Sequence, residues 1–463
     1  MIWLTLDHSL PLINQIYEAI RKQILSGNLT AGYKLPSTRE LAHELQVSRN
    51  VVLNAYDQLL AEGYLESRTG SGTFIACGAV LEKAHELPNL PPSLNKSQPL
   101  RKDIIDFRPA NPALNFFPSQ GWNRLISTVY LSSTPDCFGY GRPEGRPELR
   151  QAIASYLWPA RGVKCHPEQI IITNGASQAF NIIAKVLLTP NDQVIVEDPL
   201  TIEIQKLLRS TGATLVPVPV DDNGLKTDLI PSACKPKLFF VTPSHQSPLG
   251  EVLPIQRRIQ LIREAQTVDG YIVEDDYDSE FRYLGQPISS MQGLAPDRVI
   301  YVGTFSKVLS PGLRIGYLIL PPNLIEQFRE AKWAFDRCVP IMNQLTLARF
   351  ITTGHLRKHI VAMKKIYRER RNTLIQSLIT SFRENVIISG DSSGLNLVAT
   401  IDDTRFDEIS SQALTFGIRI YPVEEHSIVK GFHRNKLVLG YGNLEQAQLV
   451  TGITRLQQFV QSF

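Results

Sequence analysis

The 463-residue sequence has only five cysteines, Cys77, Cys137, Cys165, Cys234 and Cys338. They are scattered, odd in number and without CxxC spacing. That argues against a disulfide framework or a paired-cysteine zinc site, so no metal is expected and a reducing cytoplasm fits. Long hydrophobic runs are missing as well. No uncharged apolar stretch reaches the length of a bilayer span, and Met1–Asp7 shows no basic region leading into an apolar one, so no signal peptide is expected. A surplus of positive charge is also lacking. The chain carries +4, and residues 1–75 hold six Lys or Arg against seven Asp or Glu, a net −1. Charge alone does not mark a nucleic-acid binder, and any such role has to come from arrangement. There is no internal repeat and no low-complexity tract.

What remains is a globular composition, 43% hydrophobic and 20% charged, in a chain too long for one core. Residues 10–75 predict three helices and a hairpin. Pro11 opens a periodic stretch with Ile13, Ile16, Tyr17, Ile20, Ile24 and Leu25 on one face, stopped by Gly27. Ser37 and Glu40 fit a capping box for a second helix, to about Leu45. Ser48 caps a third, with Val51, Val52, Ala55, Leu59 and Leu60 apolar, ended by Gly63. Tyr64–Ser67 and Thr73–Ile75 then flank a glycine-rich tip. Two helices across a tight turn, followed by a hairpin, describe a winged helix-turn-helix. Its second helix opens with Ser48, Arg49 and Asn50, of which Arg can read guanine and Asn adenine by paired hydrogen bonds. Ser37, Thr38 and Arg39 are placed for phosphate, and Arg68 beside Gly70 for the DNA backbone or minor groove. The competing interpretation is a small helical protein-interaction domain with solvated arginines.

Residues 77–103, with Pro88, Pro91, Pro92 and Pro99, form a linker. From 104 to 463, apolar runs recur at Ile170–Ile172, Val194–Val196, Leu238–Val241, Tyr271–Val273 and Val299–Val302, with helical patterns between several of them. Such runs suit a mostly parallel sheet covered on both faces. A helical segment from about Val339 to Glu384 leads to a C-terminal α+β piece. Lys307 follows the last run, and a lysine at the end of a buried strand can condense with an aldehyde cofactor. Thr304 and Ser306 could serve a phosphate, with Arg314 to clamp it. The acidic run Glu274-Asp275-Asp276-Tyr277 could pair with a pyridine nitrogen or be a solvated loop. Asn174–Gln178, between a strand and a helix, suits an anion.

The segments Gly32–Ala42, Val47–Val52, Gly63–Glu66 and Gly70–Phe74 resemble the GntR family of bacterial regulators, over nearly all of residues 11–76. From 104 onward the ordered motifs resemble the fold type I aminotransferases, which bind pyridoxal 5′-phosphate. A head and body of these kinds on one chain, with Thr242–Gln246 and Glu274–Tyr283, resemble the MocR subfamily. The fold expected is therefore α/β: a winged helix-turn-helix (1–76), the linker, and an aminotransferase-like body (104–463). The resemblance implies Lys307 as the imine-forming lysine, Asp275 as partner of the ring nitrogen and Tyr277 on the ring oxygen. Ala176, Ser177, Gln178, Thr304, Ser306 and Arg314 would surround the phosphate. Tyr140 resembles the tyrosine that reaches a neighbouring subunit's phosphate, which implies a homodimer with shared sites. A double-stranded DNA operator and a small-molecule effector are the other partners implied, in the cytoplasm at the nucleoid.

Three positions depart from the aminotransferase pattern. Thr201 stands where relatives place an aromatic. Ser247 stands where they place asparagine, leaving His245 or Gln246 to contact the ring. Val438 occupies the place of the arginine that binds a substrate carboxylate, unless a shifted register offers Lys436 or Arg434. Valine cannot make that paired hydrogen bond. The favoured expectation is a cofactor-binding transcription regulator that senses the cofactor or an amine or amino acid. An active aminotransferase with a DNA-binding appendage is the alternative, and a cofactor-free scaffold is the third.

Overall fold

Ile16, Ile20 and Ile24 recur at every fourth position and are fully buried, which makes Leu12–Leu25 an amphipathic helix, α1. The computed structural model describes residues 6–79, 103–402 and 404–463, in two compact units. The linker prolines lie outside the described residues. In the N-terminal unit, α2 (Thr38–Glu44) begins with the reciprocal cap that the sequence predicts. Ser37 Oγ accepts from the Glu40 amide at 3.2 Å, and the Glu40 carboxylate accepts from the Ser37 amide at 2.8 Å. Next, α3 (Arg49–Ala61) starts after Ser48, whose hydroxyl makes no capping bond. Val52, Ala55 and Leu59 share one core with Leu41 and the α1 isoleucines. Strands β1 (Leu65–Arg68) and β2 (Gly72–Ile75) pair antiparallel, Leu65 facing Ile75. This is the winged helix-turn-helix architecture.

In the C-terminal unit, Ile170, Ile171 and Ile172 are all fully buried, yet Ile170 and Ile172 enter one core and Ile171 another. Val194 and Val196 alternate with Ile195 in the same way, and Leu238 and Phe240 with Phe239. Alternation between two apolar sides is what a strand covered on both faces requires. The strands form an eight-stranded sheet. Its spatial order is Ile170–Thr173, Gly316–Ile319, Val299–Thr304, Tyr271–Asp276, Leu238–Val241, Gln193–Asp198, Thr214–Asp221 and Gly224–Leu225. Five neighbours, from Val299–Thr304 to Thr214–Asp221, run parallel. Helix Ala176–Leu187 packs into one apolar layer and Ile255–Thr267 into the other.

Two features differ from the sequence expectation. Gly316–Ile319 is a strand antiparallel to both its neighbours, next to Arg314, which the sequence suggests only as a phosphate clamp. The helical stretch from 339 to 384 is two helices, Ile341–Thr352 and His355–Phe382. Gly354 separates them at φ +76°, a conformation that ends a helix. Beyond them, Val386–Ser389, Asn396–Ile401, Lys436–Gly440 and Tyr421–Pro422 make a four-stranded antiparallel sheet.

Candidate functional site

Lys307 follows the strand Val299–Thr304, and Asp275 lies on its parallel neighbour, where it is in register with Val302. Parallel neighbours end on the same side of a sheet, so both side chains reach one crevice. They line a cavity of about 340 Å³ together with Tyr277, Ala176, Ser177, Thr201 and Ser247. Asp275 makes no hydrogen bond or ion pair through its carboxylate among the described residues. Burial, then the charges of Asp276, Asp278 and Glu197, push its pKa well above the usual carboxylate range. The adjacent Asp276 is committed elsewhere: it accepts from Arg161 Nε at 2.7 Å and from Tyr301 Oη at 2.5 Å. Burial lowers the Lys307 pKa against the opposing pull of Asp278 and Asp275, which favours the neutral, nucleophilic amine.

Behind Tyr277 stands a short relay. Tyr277 Oη lies 3.0 Å from Nδ1 of His245, and that nitrogen lies 2.9 Å from Asp278 Oδ1. His245 Nε2 faces the Gly390 carbonyl at 3.4 Å. Burial works against a charged His245 ring, and the Asp278 carboxylate outweighs it, so the His245 pKa is raised. The pair exists because residue 394 is glycine: a Cβ there would sit 2.1 Å from the His245 ring. His245 does not line the cavity and acts through Tyr277. Gln246, the other substitute considered for the ring contact, is fully engaged. Its Nε2 donates to the Pro199 carbonyl at 2.9 Å, and its Oε1 accepts from the Leu249 amide at 2.9 Å. Ser247 lines the cavity itself.

Ala176, in the lining as Arg314 and Gln178 are not, opens a helix whose first amides have no partners within it. Arg314, at a left-handed φ of +51°, donates through Nη2 to the Asn174 carbonyl at 2.7 Å. A Cβ on Gly175 would meet its guanidinium at 3.2 Å, so glycine makes that approach possible. Arginine, helix N-terminus and bare backbone form an anion cradle. The Gln178 side chain is not free to join it: Nε2 donates to Asp336 at 2.8 Å and Oε1 accepts from the Asn174 amide at 2.8 Å, leaving its backbone amide. Thr304 Oγ1 donates to Ser306 Oγ at 3.0 Å. Both hydroxyls are buried beside Lys307 without lining the cavity. Tyr140 is 78% exposed, under the Arg337 guanidinium at 4.6 Å, and does not line the cavity of its own chain.

Val438 is completely buried in an apolar cluster with Leu249, Val398 and Val423. Arg434 is held by Asp407 at 3.1 Å and Glu408 at 3.2 Å. Neither they nor Lys436 line the cavity. Sequence reasoning missed Glu203, which does line it from the first turn of the helix Ile202–Ser210. The available signal was a carboxylate beside Ile204 and Leu207 on one helix face. It also missed Arg108, whose charge bears on Lys307 and whose guanidinium hydrogen-bonds Tyr421.

In the head, Ser37, Arg39, Ser48, Arg49 and Asn50 are exposed and Thr38 is half-buried. Arg49 Nε donates to Thr38 Oγ1 at 3.3 Å, which ties the starts of α2 and α3 together. Arg68 is not a free wing-tip cation. Its Nη2 is 2.6 Å from Glu66 Oε1, and its guanidinium lies 4.6 Å from the Phe74 ring centroid. Gly70 turns the tip at φ +76°. Lys34, bridged to Phe74 beside Gly72, is a wing cation that the motif reading passed over.

Among the described residues no group of three or more His, Cys, Asp or Glu is arranged for a metal, and no helix is long and apolar enough to cross a membrane. Residues 12–75 match the bacterial regulatory proteins of the gntR family, and residues 108–434 match aminotransferase class I and II. The chain is 38% identical to the probable rhizopine catabolism regulatory protein MocR of Rhizobium meliloti, covering 99% of this chain and 95% of that one. It is 32% identical to the pyridoxine biosynthesis transcriptional regulator PdxR of Corynebacterium glutamicum, over 94% of this chain and 93% of the relative. Its fold is similar to that of Pyrococcus horikoshii kynurenine aminotransferase, with TM-score 0.73 and 28% identity, over 78% of this chain and 92% of that one.

Proposed function

Because this chain belongs to the MocR-type regulators, with a gntR-family head on a class I and II aminotransferase body, we propose that it is a DNA-binding transcription regulator whose body binds pyridoxal phosphate and senses an amine. The carrying observation is the convergence of Lys307, Asp275 and Tyr277 on one cavity beside the Ala176 helix terminus. The residues present fit that cofactor. A carboxylate with no hydrogen-bonding partner among the described residues suits a cationic ring nitrogen, a lysine with lowered pKa suits an aldehyde, and the Gly175–Arg314 cradle suits a phosphate. When bound, pyridoxal phosphate supplies an aldehyde reactive toward primary amines on an electron-withdrawing ring. Lys307 would hold the aldehyde carbon. Asp275 would keep the ring nitrogen protonated, and Tyr277, oriented by His245 and Asp278, would hold the ring oxygen. The Ala176, Ser177 and Gln178 amides with Arg314 would bind the phosphate, helped by the Thr304 and Ser306 hydroxyls. Exposed Tyr140 would serve the site of a second copy, in a homodimer.

On the DNA side, Arg49 and Asn50 would reach base edges from the start of α3. Ser37, Thr38, Arg39 and Ser48 would contact phosphates, with Arg68 and Gly70 at the wing. Ligand binding would shift a two-state dimer and so alter how two heads meet paired half-sites. Sustained transamination is the less favoured reading, because Val438 lies in an apolar cluster. Borohydride reduction of the cofactor-loaded protein, followed by peptide mapping, tests the body: the label is expected on Lys307. Footprinting on the gene's own upstream region at physiological salt tests the head. Label elsewhere, or no protected sequence, would overturn the respective half.

A further inference from the structure

We propose that the effector received beside Lys307 is a primary amine that carries a second positive charge and no carboxylate. This rests on Lys307 being the cofactor lysine. Among the described residues the cavity has three charged side chains in its lining, Lys307, Asp275 and Glu203. The first two are taken by the cofactor's aldehyde and ring nitrogen. The charge left for a ligand is therefore the carboxylate of Glu203, which is exposed and makes no hydrogen bond or ion pair among the described residues. His426 does not neutralise it. Burial lowers the pKa of that imidazole, so it is uncharged at neutral pH despite the pull of Glu203.

While Lys307 holds the cofactor aldehyde, a ligand carboxylate would find no free cation among the described lining residues. Arg314 is engaged at the Gly175 cradle. Arg434 is paired with Asp407 and Glu408, and the Val438 side chain is apolar. Arg108 is within electrostatic reach of Lys307, but Tyr421 holds it and Asp106 offsets its charge. An anionic tail would instead approach Glu203, a like charge with no counter-ion, whereas a cationic tail would pair with it. The hydroxyls of Thr201 and Ser247 leave the wall polar enough for a hydrophilic ligand.

The test uses the full-length protein with pyridoxal phosphate bound, loading being confirmed by its absorbance. Three ligands of equal length are titrated by calorimetry: 1,4-diaminobutane, butylamine and 4-aminobutanoate. The diamine is expected to bind tightest and the amino acid weakest, with Kd values at least about tenfold apart between those two. Glu203→Gln is expected to erase the preference for diamine over butylamine, and Glu203→Arg to reverse the order. Equal or tighter binding of 4-aminobutanoate by the parent overturns the proposal. Loss of that binding in Arg108→Gln would then reassign the carboxylate to Arg108. Failure to load at all would overturn the cofactor reading and this one with it, whereas normal loading with no selectivity overturns this one alone.

Discussion

Arg161 Nε donates to Asp276 Oδ2 at 2.7 Å, and this bond separates the duties of two adjacent aspartates. Successive residues of a strand point to opposite faces, so fixing Asp276 against Arg161 and Tyr301 turns Asp275 toward the cavity. Arg161 also donates to Ser244 Oγ at 2.7 Å, and both ion-pair partners are almost fully buried. Removing one member of a buried pair leaves a bare charge and costs about 3–5 kcal/mol. Arg161→Leu is therefore expected to lower the stability of the body by that amount in denaturant unfolding. Adding Asp276→Asn should restore most of it. A loss below about 1 kcal/mol would mean that the pair does not hold the sheet end in place.

Glu197 supplies a pH dependence. It is buried at the end of the strand Gln193–Asp198, and burial lifts its pKa to about 7 against hydrogen bonds donated by Thr242 and Gln246. A carboxyl whose folded pKa is raised binds its proton more tightly in the folded state. Its contribution is fully present below the unfolded value, near 4.5, and is lost as pH rises through about 7. Glu274 and Glu280 are lifted to about 7 in the same way. The melting temperature of the cofactor-free protein is expected to fall between about pH 4.5 and about 7 and then level off, and Glu197→Gln should flatten part of that fall. A parent whose stability rises through neutral pH contradicts the assignment.

Local signals made much of the head legible. The Ser37–Glu40 cap spans three residues, and the α1 stripe repeats within four. The apolar runs likewise announced buried strands, because alternation between two cores needs no polar positions. Other features depend on distant partners. Arg161 and Asp276 are 115 residues apart, and nothing near either names the other. Gly316–Ile319 was hidden by its brevity and by the motif before it. Glu203 resembled any charged residue on a surface helix until the fold placed it in the lining of the cavity that Lys307 also lines. Gly354 was overlooked because the stretches before and after it each carry a helical pattern.

The head makes a separate prediction. Arg49 and Asn50 are exposed side by side at the start of α3, and Arg49 is steadied by Thr38. If they contact base edges, Asn50→Ala should cost about 1–3 kcal/mol on the operator and little on random DNA. Arg68 is already paired with Glu66, so Arg68→Ala should weaken both DNAs alike and lower the salt slope by about one unit or less. Gel-shift titrations at several salt concentrations separate the two behaviours. Equal losses on both DNAs for Asn50→Ala would remove it from base recognition.

Asp275 gives the sharpest prediction about the cofactor. It is a half-buried carboxyl whose pKa burial and neighbouring carboxylates raise strongly, with no hydrogen-bonding partner among the described residues. A ring nitrogen placed against it would receive a proton and leave a charge-assisted pair, worth about 1.5–3 kcal/mol. Asp275→Asn keeps the shape and removes the acid, so pyridoxal phosphate affinity should fall by about tenfold to hundredfold. Lys307 would still be the residue fixed by borohydride. Lys307→Ala should show the complementary pattern, with phosphate-dependent binding retained through Arg314 and the Ala176 helix but no reducible linkage. Absorbance titration and peptide mapping on the two variants together distinguish ring contact from aldehyde contact. If Asp275→Asn bound the cofactor as tightly as the parent, the ring would have to lie elsewhere in the cavity.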